Sequence, residues 1–119
     1  MDNTLFERLG GEQGIRKISS DVVDLHTKNS SISARFASSD LTQLKETVAK
    51  FFISGSGGPQ IYEGKDMRTA HQHMNISDHE YMAAVDDVMS ALTMNDIGDR
   101  EKGEVLFIFY SLRPDVVRV

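Results

Sequence analysis

Residues 40–59 read DLTQLKETVAKFFISGSGGP, and this stretch predicts a helix with a defined start and end. Asp40 followed by Gln43 is the pattern of a capping box at a helix N-terminus. Apolar residues then recur at spacings of three and four, the period of a helix with one buried face. They are Leu41, Leu44, Val48, Phe51 and Phe52. The segment 54–59, rich in glycine and closed by Pro59, stops the helix.

Similar signals lie on both sides of this helix. Thr4 with Glu7 predicts a short first helix that stops at Gly10-Gly11, and Ser77 with Glu80 predicts the start of another. A second helix, ending near residues 29–31, carries Ile15, Ile18, Val22 and Leu25 at helical spacing. The helix after Ser77 carries Tyr81, Ala84, Val85, Val88, Ala91 and Leu92. Each of these patterns favours an amphipathic helix.

The last segment, from about Asp99 to Leu112, is apolar on most sides between residues 105 and 110. Such a run is compatible with a buried strand or a buried helix, and its length together with the helical patterns before it favours a helix. We therefore expect Phe107, Phe109 and Tyr110 to lie in the core. Alternating strand patterns of convincing length are not found, so the sequence predicts an all-α fold in a single domain over residues 1–119.

The composition narrows the classes of function. The 119 residues suit one domain with a modest core, and a net charge of −5 argues against broad binding to nucleic acid phosphates. The absence of cysteine excludes disulfides, thiol nucleophiles and cysteine-ligated metal centres. The start of the chain lacks the pattern of a signal peptide, and the longest apolar run is far short of a membrane span. We expect a cytoplasmic protein that does not insert into membranes.

The stretch 67–74, MRTAHQHM, contains the histidine with the most informative surroundings. If this stretch is helical, His71 shares one face with Met67, Ala70 and Met74. An imidazole on an apolar face needs a partner inside the protein, because burying it unpaired is unfavourable. That partner is either a backbone carbonyl or a metal. His73 is rotated to the other side of the same helix and is expected to face solvent.

Four segments occur in a characteristic order along the chain. They are Leu5-Phe6-Glu7-Arg8-Leu9-Gly10-Gly11, Phe51-Phe52 followed by Gly57-Gly58-Pro59, Tyr62-x-Gly64, and Met67-Arg68-Thr69-Ala70-His71. Together they resemble the group 1 truncated haemoglobins, and the resemblance covers nearly the whole chain. It implies a shortened globin fold, a two-on-two helical sandwich around haem b.

The resemblance also implies roles for individual residues. His71 matches the proximal ligand of the haem iron, and Phe36 matches the phenylalanine that stacks on the haem plane. The further haem contacts that it implies are Leu44, Thr47, Val48, Phe51, Phe52, Tyr62, Met67, Arg68, Ile76 and Val88. Elementary chemistry agrees with this, since a ligating imidazole usually donates its other N–H to a fixed acceptor. Methionine suits a flat apolar macrocycle, and an arginine can pair with a propionate.

The distal side departs from the family pattern. Where the family usually has a tyrosine that hydrogen-bonds the gas ligand, this chain has Val23, and only Thr47 offers a hydroxyl near the mouth of the pocket. We therefore expect weak retention of O2, with CO and NO less affected, and a five-coordinate ferrous form. Tyr110 or His26 is an alternative donor if the helix register shifts. His26 extends the face of the second helix and is either a half-buried histidine or a second ligand.

Several functions are compatible with a haem iron that has one open position. We favour reversible binding of O2, CO or NO over catalysis, and storage, delivery, sensing and NO detoxification remain open. NO dioxygenation requires an electron donor such as a reductase, and peroxidase-like chemistry requires a distal acid–base pair that the sequence does not show. The alternative from another class is a cofactor-free all-α interaction module. We expect a monomer or a weak dimer.

Overall fold

A computed structural model describes residues 3–119, and α-helices account for most of that range. They are α1 (Leu5–Arg8), α2 (Gly11–Lys28), α3 (Leu41–Gly55), α4 (Met67–His71), α5 (Asp78–Met94) and α6 (Asp99–Val116). A 3₁₀ turn over Ser33–Phe36 connects α2 to α3. Between residues 3 and 119 no strand forms, although Ile76 and Val117 make an isolated bridge. The predicted all-α fold is confirmed.

The three predicted capping boxes all mark true helix starts. Ser77 and Glu80 form the complete box, in which each side chain accepts from the other residue's backbone N–H. Thr4 accepts from the backbone N–H of Glu7 at 3.2 Å, and Asp40 accepts from that of Gln43 at 3.1 Å. These local bonds satisfy amide groups that have no partner in the first turn of a helix.

The helices pack as two pairs, with α2 joining them. α2 packs on α3 along one side and on α5 along the other, while α5 packs on α6. α1 closes the end of the sandwich against α2 and α6, and α4 lies on α6. The core between these helices consists of Leu5, Leu9, Ile15, Ile18, Val22, Phe52, Ile53, Val88, Ala91, Leu92 and Val105. This is the predicted two-on-two arrangement.

The connection between α1 and α2 is a sharp turn made by two glycines. Gly10 has φ of 101° and Gly11 has φ of 68°, a region that residues with a Cβ rarely occupy. The turn places Leu9 in the core, 2% exposed, directly before α2 begins. The glycine pair of the first motif is therefore required by the backbone conformation.

The helix that carries His71 is shorter than predicted. α4 ends at His71, so Met74 does not share its face, and both Ala70 and Met74 are exposed. The chain turns because His73 takes φ of 70° and donates its backbone N–H to the carbonyl of Val119 at 3.0 Å. A contact with the C-terminal end of the chain thus replaces the next helical hydrogen bond. His73 is exposed, as predicted.

The last helix is present, but the prediction that it is buried on most sides is wrong. Phe107 is 72% exposed and Tyr110 is 50% exposed, while Val105 and Val116 are the buried residues of α6. The reason is that α1, α4 and α5 pack on the other sides of α6 and no described element covers this face. Phe109 packs against the core, as predicted. None of the helices described is long and apolar enough to cross a membrane.

Candidate functional site

Most of the predicted site residues lie on two parts of the fold, called the two walls below. α3 forms one wall, and α4 with the segment leading to α5 forms the other. Over residues 3–119, α3 packs on α2 and makes no extensive contact with α4 or α5. We call the region between the two walls the cleft. α2 contacts both α3 and α5 and so connects the two sides.

His71 stands at the C-terminal end of α4, on the second wall, and is half-buried. Its Nδ1 lies 2.8 Å from the carbonyl oxygen of Met67, one turn earlier in the same helix. A carbonyl oxygen only accepts hydrogen bonds, so Nδ1 carries the proton. In the neutral ring Nε2 is then left with a free lone pair, the state in which an imidazole ligates a metal.

Met67, the residue whose carbonyl accepts from His71, has an apolar environment. Met67 packs against a cluster whose buried members are Ile76, Tyr81, Val85 and Val116. Ile76 is 8% exposed and follows the turn after α4. Arg68 is exposed, with Nε 3.8 Å from a carboxylate oxygen of Asp115 on α6. A pair this loose and solvated leaves the guanidinium free to take another partner.

Tyr62 joins α3 to the loop that precedes α4. Its ring meets that of Phe51 edge to face, with centroids 5.5 Å apart, and its hydroxyl donates to the carbonyl of Lys65 at 2.6 Å. Burial raises the pKa of Tyr62, and the carboxylate of Asp66 adds to the effect. A Cβ at position 64 would lie 2.4 Å from the tyrosine hydroxyl, so the Tyr62-x-Gly64 motif reflects this close approach.

Four of the predicted contacts on α3 are half-buried: Leu44, Thr47, Val48 and Phe51. Val48 also packs against the main core. The hydroxyl of Thr47 donates to the carbonyl of Gln43 at 3.1 Å, so its proton is used within the helix. Two salt bridges, from Arg16 to Glu46 and from Lys45 to Asp24, hold α3 on α2, and they direct these polar side chains toward α2.

Two of the predicted contacts lie in the main core instead. Phe52 is 9% exposed and packs on Phe109, with ring centroids 5.7 Å apart. Val88 is 2% exposed and belongs to the same cluster. A small cavity of about 20 Å³ borders Phe52 together with Leu5 and Val105.

On α2, two side chains at and next to the predicted distal position are fully buried. Val23 and Ser19 are both 0% exposed and lie one turn apart on the same face of the helix. Among the described residues, Ser19 Oγ has no hydrogen-bond partner. Sequence reasoning did not identify Ser19, although a serine four residues before Val23 continues the buried stripe and could have been found by its spacing.

Asp87 is a second residue that sequence reasoning missed. It is 9% exposed on α5, and its carboxylate accepts from Nδ1 of His26 at 2.7 Å. Asp87 lies four residues after Ala83 and four before Ala91, both of which are buried. This helical spacing could have indicated that the carboxylate is buried on the same face. This hydrogen bond gives the half-buried imidazole of His26 its polar partner, and the sequence predicted the half-burial. Tyr110, the other alternative donor, lies on α6 and is 50% exposed.

Comparisons with known proteins agree with this architecture. A family model described as bacterial-like globin matches residues 4–117. The group 1 truncated hemoglobin of Tetrahymena pyriformis is 25% identical over 118 residues, covering 96% of this chain and 94% of that protein. Group 1 truncated hemoglobin GlbN of Mycolicibacterium paratuberculosis is 23% identical over 113 residues, covering 95% and 83%.

Solved structures show the same fold. The crystal structure of truncated hemoglobin from Tetrahymena pyriformis in its Fe(III) form superposes with a TM-score of 0.94 at 22% identity, covering 98% of this chain and all of that one. The group II truncated hemoglobin from Bacillus anthracis gives a TM-score of 0.88 at 22% identity, with 98% and 92% covered. Identities this low establish the shared fold and leave the roles of individual residues to be tested.

Proposed function

The chain belongs to the bacterial-like globin family, whose members bind haem, and we propose that His71 ligates the iron of haem b in the cleft between α3 and α4. When bound, haem supplies an iron atom with one open position for O2, CO or NO. The chain supplies the proximal imidazole, the apolar walls and the shape of the distal side. We propose one domain, monomeric or weakly dimeric, in the cytoplasm.

The observation that carries the proposal is the hydrogen bond from His71 Nδ1–H to the carbonyl of Met67. It orients the ring and selects the tautomer in which Nε2 is free to bind a metal. The residues around it fit the group: Met67 is a polarisable apolar surface, and Arg68 is exposed beside the ligand helix for a propionate. Phe36, Leu44, Val48, Phe51 and Tyr62 supply further apolar or aromatic surface, as expected for haem contacts.

We favour reversible ligand binding over redox catalysis because of the distal residues. Val23, Leu44 and Val48 have no donor, and the hydroxyl of Thr47 is bonded within its own helix. Peroxidase-like chemistry uses a positioned acid–base group, whereas His26 is paired with Asp87. NO detoxification stays the second candidate, and it would need a separate reductase as electron source.

Substitution of His71 tests the proposal directly. The protein should take up haemin, show a Soret band and give a five-coordinate ferrous spectrum without added ligand. His71→Ala should lose this spectrum, and added imidazole should restore it by entering the space left by the side chain. The matched control is His73→Ala, which removes an exposed histidine two residues away and should behave as the wild-type protein.

Three results would count against the proposal. A colourless protein that cannot take up haemin would favour a cofactor-free interaction module. A six-coordinate low-spin ferrous spectrum would require a second protein ligand. A wild-type spectrum in His71→Ala, with loss of the spectrum in His73→Ala, would move the ligand to the other histidine.

A further inference from the structure

The ring of His26 is held in one orientation by a buried polar network. Its side chain is 13% exposed, and Nδ1 donates to Oδ2 of Asp87 at 2.7 Å across the interface of α2 and α5. Asn29, at the end of α2, donates its side-chain N–H to both carboxylate oxygens at 3.2 Å. Because the carboxylate is shared by two donors from α2, neither the imidazole nor the amide can rotate without breaking a buried hydrogen bond.

The face of this ring is covered by Phe36. The two rings stack with centroids 5.5 Å apart and an angle of 16° between their planes. Phe36 is the last residue of the 3₁₀ turn, and the neighbouring residues Ala34, Arg35 and Ala37 are exposed. The turn is also attached to the start of α5, through the salt bridge of Arg35 with Glu80. The stack on His26 is the aromatic contact that the Phe36 ring makes within the described residues.

From this geometry we infer that His26 is a positioning residue for haem: it holds Phe36 in the orientation in which that ring packs on the cofactor. Asp87 acts indirectly, by accepting the hydrogen bond that fixes His26, and Asn29 in turn donates to Asp87. The inference rests on the proposed function, since it assumes that haem binds and that Phe36 contacts it. It adds a role for a polar network that the comparisons do not assign.

Two substitutions separate positioning from a purely structural contribution. His26→Asn places a side-chain N–H near the position of Nδ1, so it keeps a donor for Asp87 but removes the ring that supports Phe36. His26→Phe keeps a ring against Phe36 but leaves the buried carboxylate of Asp87 without one of its donors. The first variant should disturb haem contact more, and the second should disturb folding more.

Three measurements distinguish the roles. The first is the rate of haem transfer from the holoprotein to excess apomyoglobin. The second is the ring-current shift of the haem-methyl protons in the CO form, with Phe36→Leu as the reference for loss of the ring. The third is the urea midpoint of the apoprotein. His26→Asn should lose haem about twofold to tenfold faster, as expected for one aromatic contact, and should move the methyl shifts toward those of Phe36→Leu.

His26→Phe should retain the methyl shifts and the rate of haem loss of the wild-type protein while having the lower urea midpoint. The inference is overturned if haem loss simply follows the urea midpoint, with His26→Phe fastest, or if the methyl shifts in His26→Asn equal those of the wild type. If His26→Phe does not fold, the methyl shifts of His26→Asn alone decide. Failure of the proposed function would look different, because the wild-type protein itself would then take up no haem.

Discussion

At the scale of single residues, position 23 determines whether the distal side can donate a hydrogen bond to a gas ligand. Val23 is fully buried on α2, at the position where the resemblance implies a distal tyrosine, and its side chain offers no hydrogen-bond donor. The two donors that the sequence suggested for this side are already bonded elsewhere, Thr47 to Gln43 and His26 to Asp87. O2 gains more than CO from a buried donor, because it carries more negative charge when bound, so the two gases should respond differently to a new hydroxyl.

Val23→Tyr should slow the dissociation of O2 by roughly tenfold to 150-fold, the effect of one hydrogen bond of about 1.5–3 kcal/mol to a charged partner. CO dissociation should change little. The measurement is stopped-flow replacement of each gas from the ferrous protein. Val23→Phe is the matched control, since it adds the same ring without the hydroxyl. Equal O2 dissociation rates in the two variants would show that the hydroxyl does not reach the ligand.

At the scale of the helices, the angle between α1 and α2 depends on a close backbone contact. A Cβ on Gly14 would lie 2.5 Å from the carbonyl oxygen of Leu9, and backbone atoms cannot move aside as a flexible side chain can. The same carbonyl belongs to the residue that ends α1. The absence of a side chain at position 14 thus lets the first helix fold back onto the second.

Gly14→Ala should lower the free energy of unfolding by about 1–3 kcal/mol, because the clash forces the α1–α2 turn apart. Gly103→Ala is the matched control. It lies inside α6 with nothing within 4 Å of its added Cβ, so it should raise stability by about 0.5–1 kcal/mol through the helix propensity of alanine. Urea unfolding followed by circular dichroism measures both. A loss of stability in Gly103→Ala, or none in Gly14→Ala, would contradict this explanation.

Over the whole molecule, arginine–carboxylate pairs connect elements that are distant in sequence. Arg8 joins α1 to Glu101 and Glu104 on α6, and Arg16 joins α2 to Glu46 on α3. Arg35 of the 3₁₀ turn pairs with Glu80 at the start of α5. Hydrogen bonds from the guanidinium groups lower the pKa of each of these carboxyls. Ionised carboxylates therefore favour the folded state.

Glu80 allows a test of this effect. Its hydrogen bond with Arg35, together with the backbone N–H of Ser77, lowers its pKa from 4.5 to about 2. A carboxyl with a lowered pKa stabilises the fold above pH 4.5, and the contribution is lost as the pH falls toward 2. Glu80→Gln should therefore reduce stability by about 1 kcal/mol at pH 7, because the pair is partly solvated, and by little at pH 2.5.

The measurement is the free energy of unfolding of the wild-type protein and of Glu80→Gln as a function of pH. The exposed Glu63 provides the control, since Glu63→Gln should leave the profile unchanged. A difference between Glu80→Gln and the wild type that stays the same from pH 7 to pH 2.5 would mean that the contribution is not electrostatic.

The sequence by itself determined where helices begin and what kind of site to expect. Ser77, Asp40 and Thr4 cap their helices through bonds to residues three positions away, so short-range pattern was sufficient. The ordered motifs predicted the family and the two-on-two fold, both of which are confirmed, and they singled out His71. Iron ligation by His71 and the roles of the other predicted haem contacts stay predictions.

Only the tertiary structure decided the features that depend on distant partners. α4 ends at His71 because the next residues bond to the C-terminal segment, and Phe107 is exposed because no described helix covers that side of α6. His26 finds Asp87, a carboxylate 61 positions away. Helical periodicity reports which side of a helix is apolar, but it does not report which neighbour covers that side. That depends on how the whole chain packs.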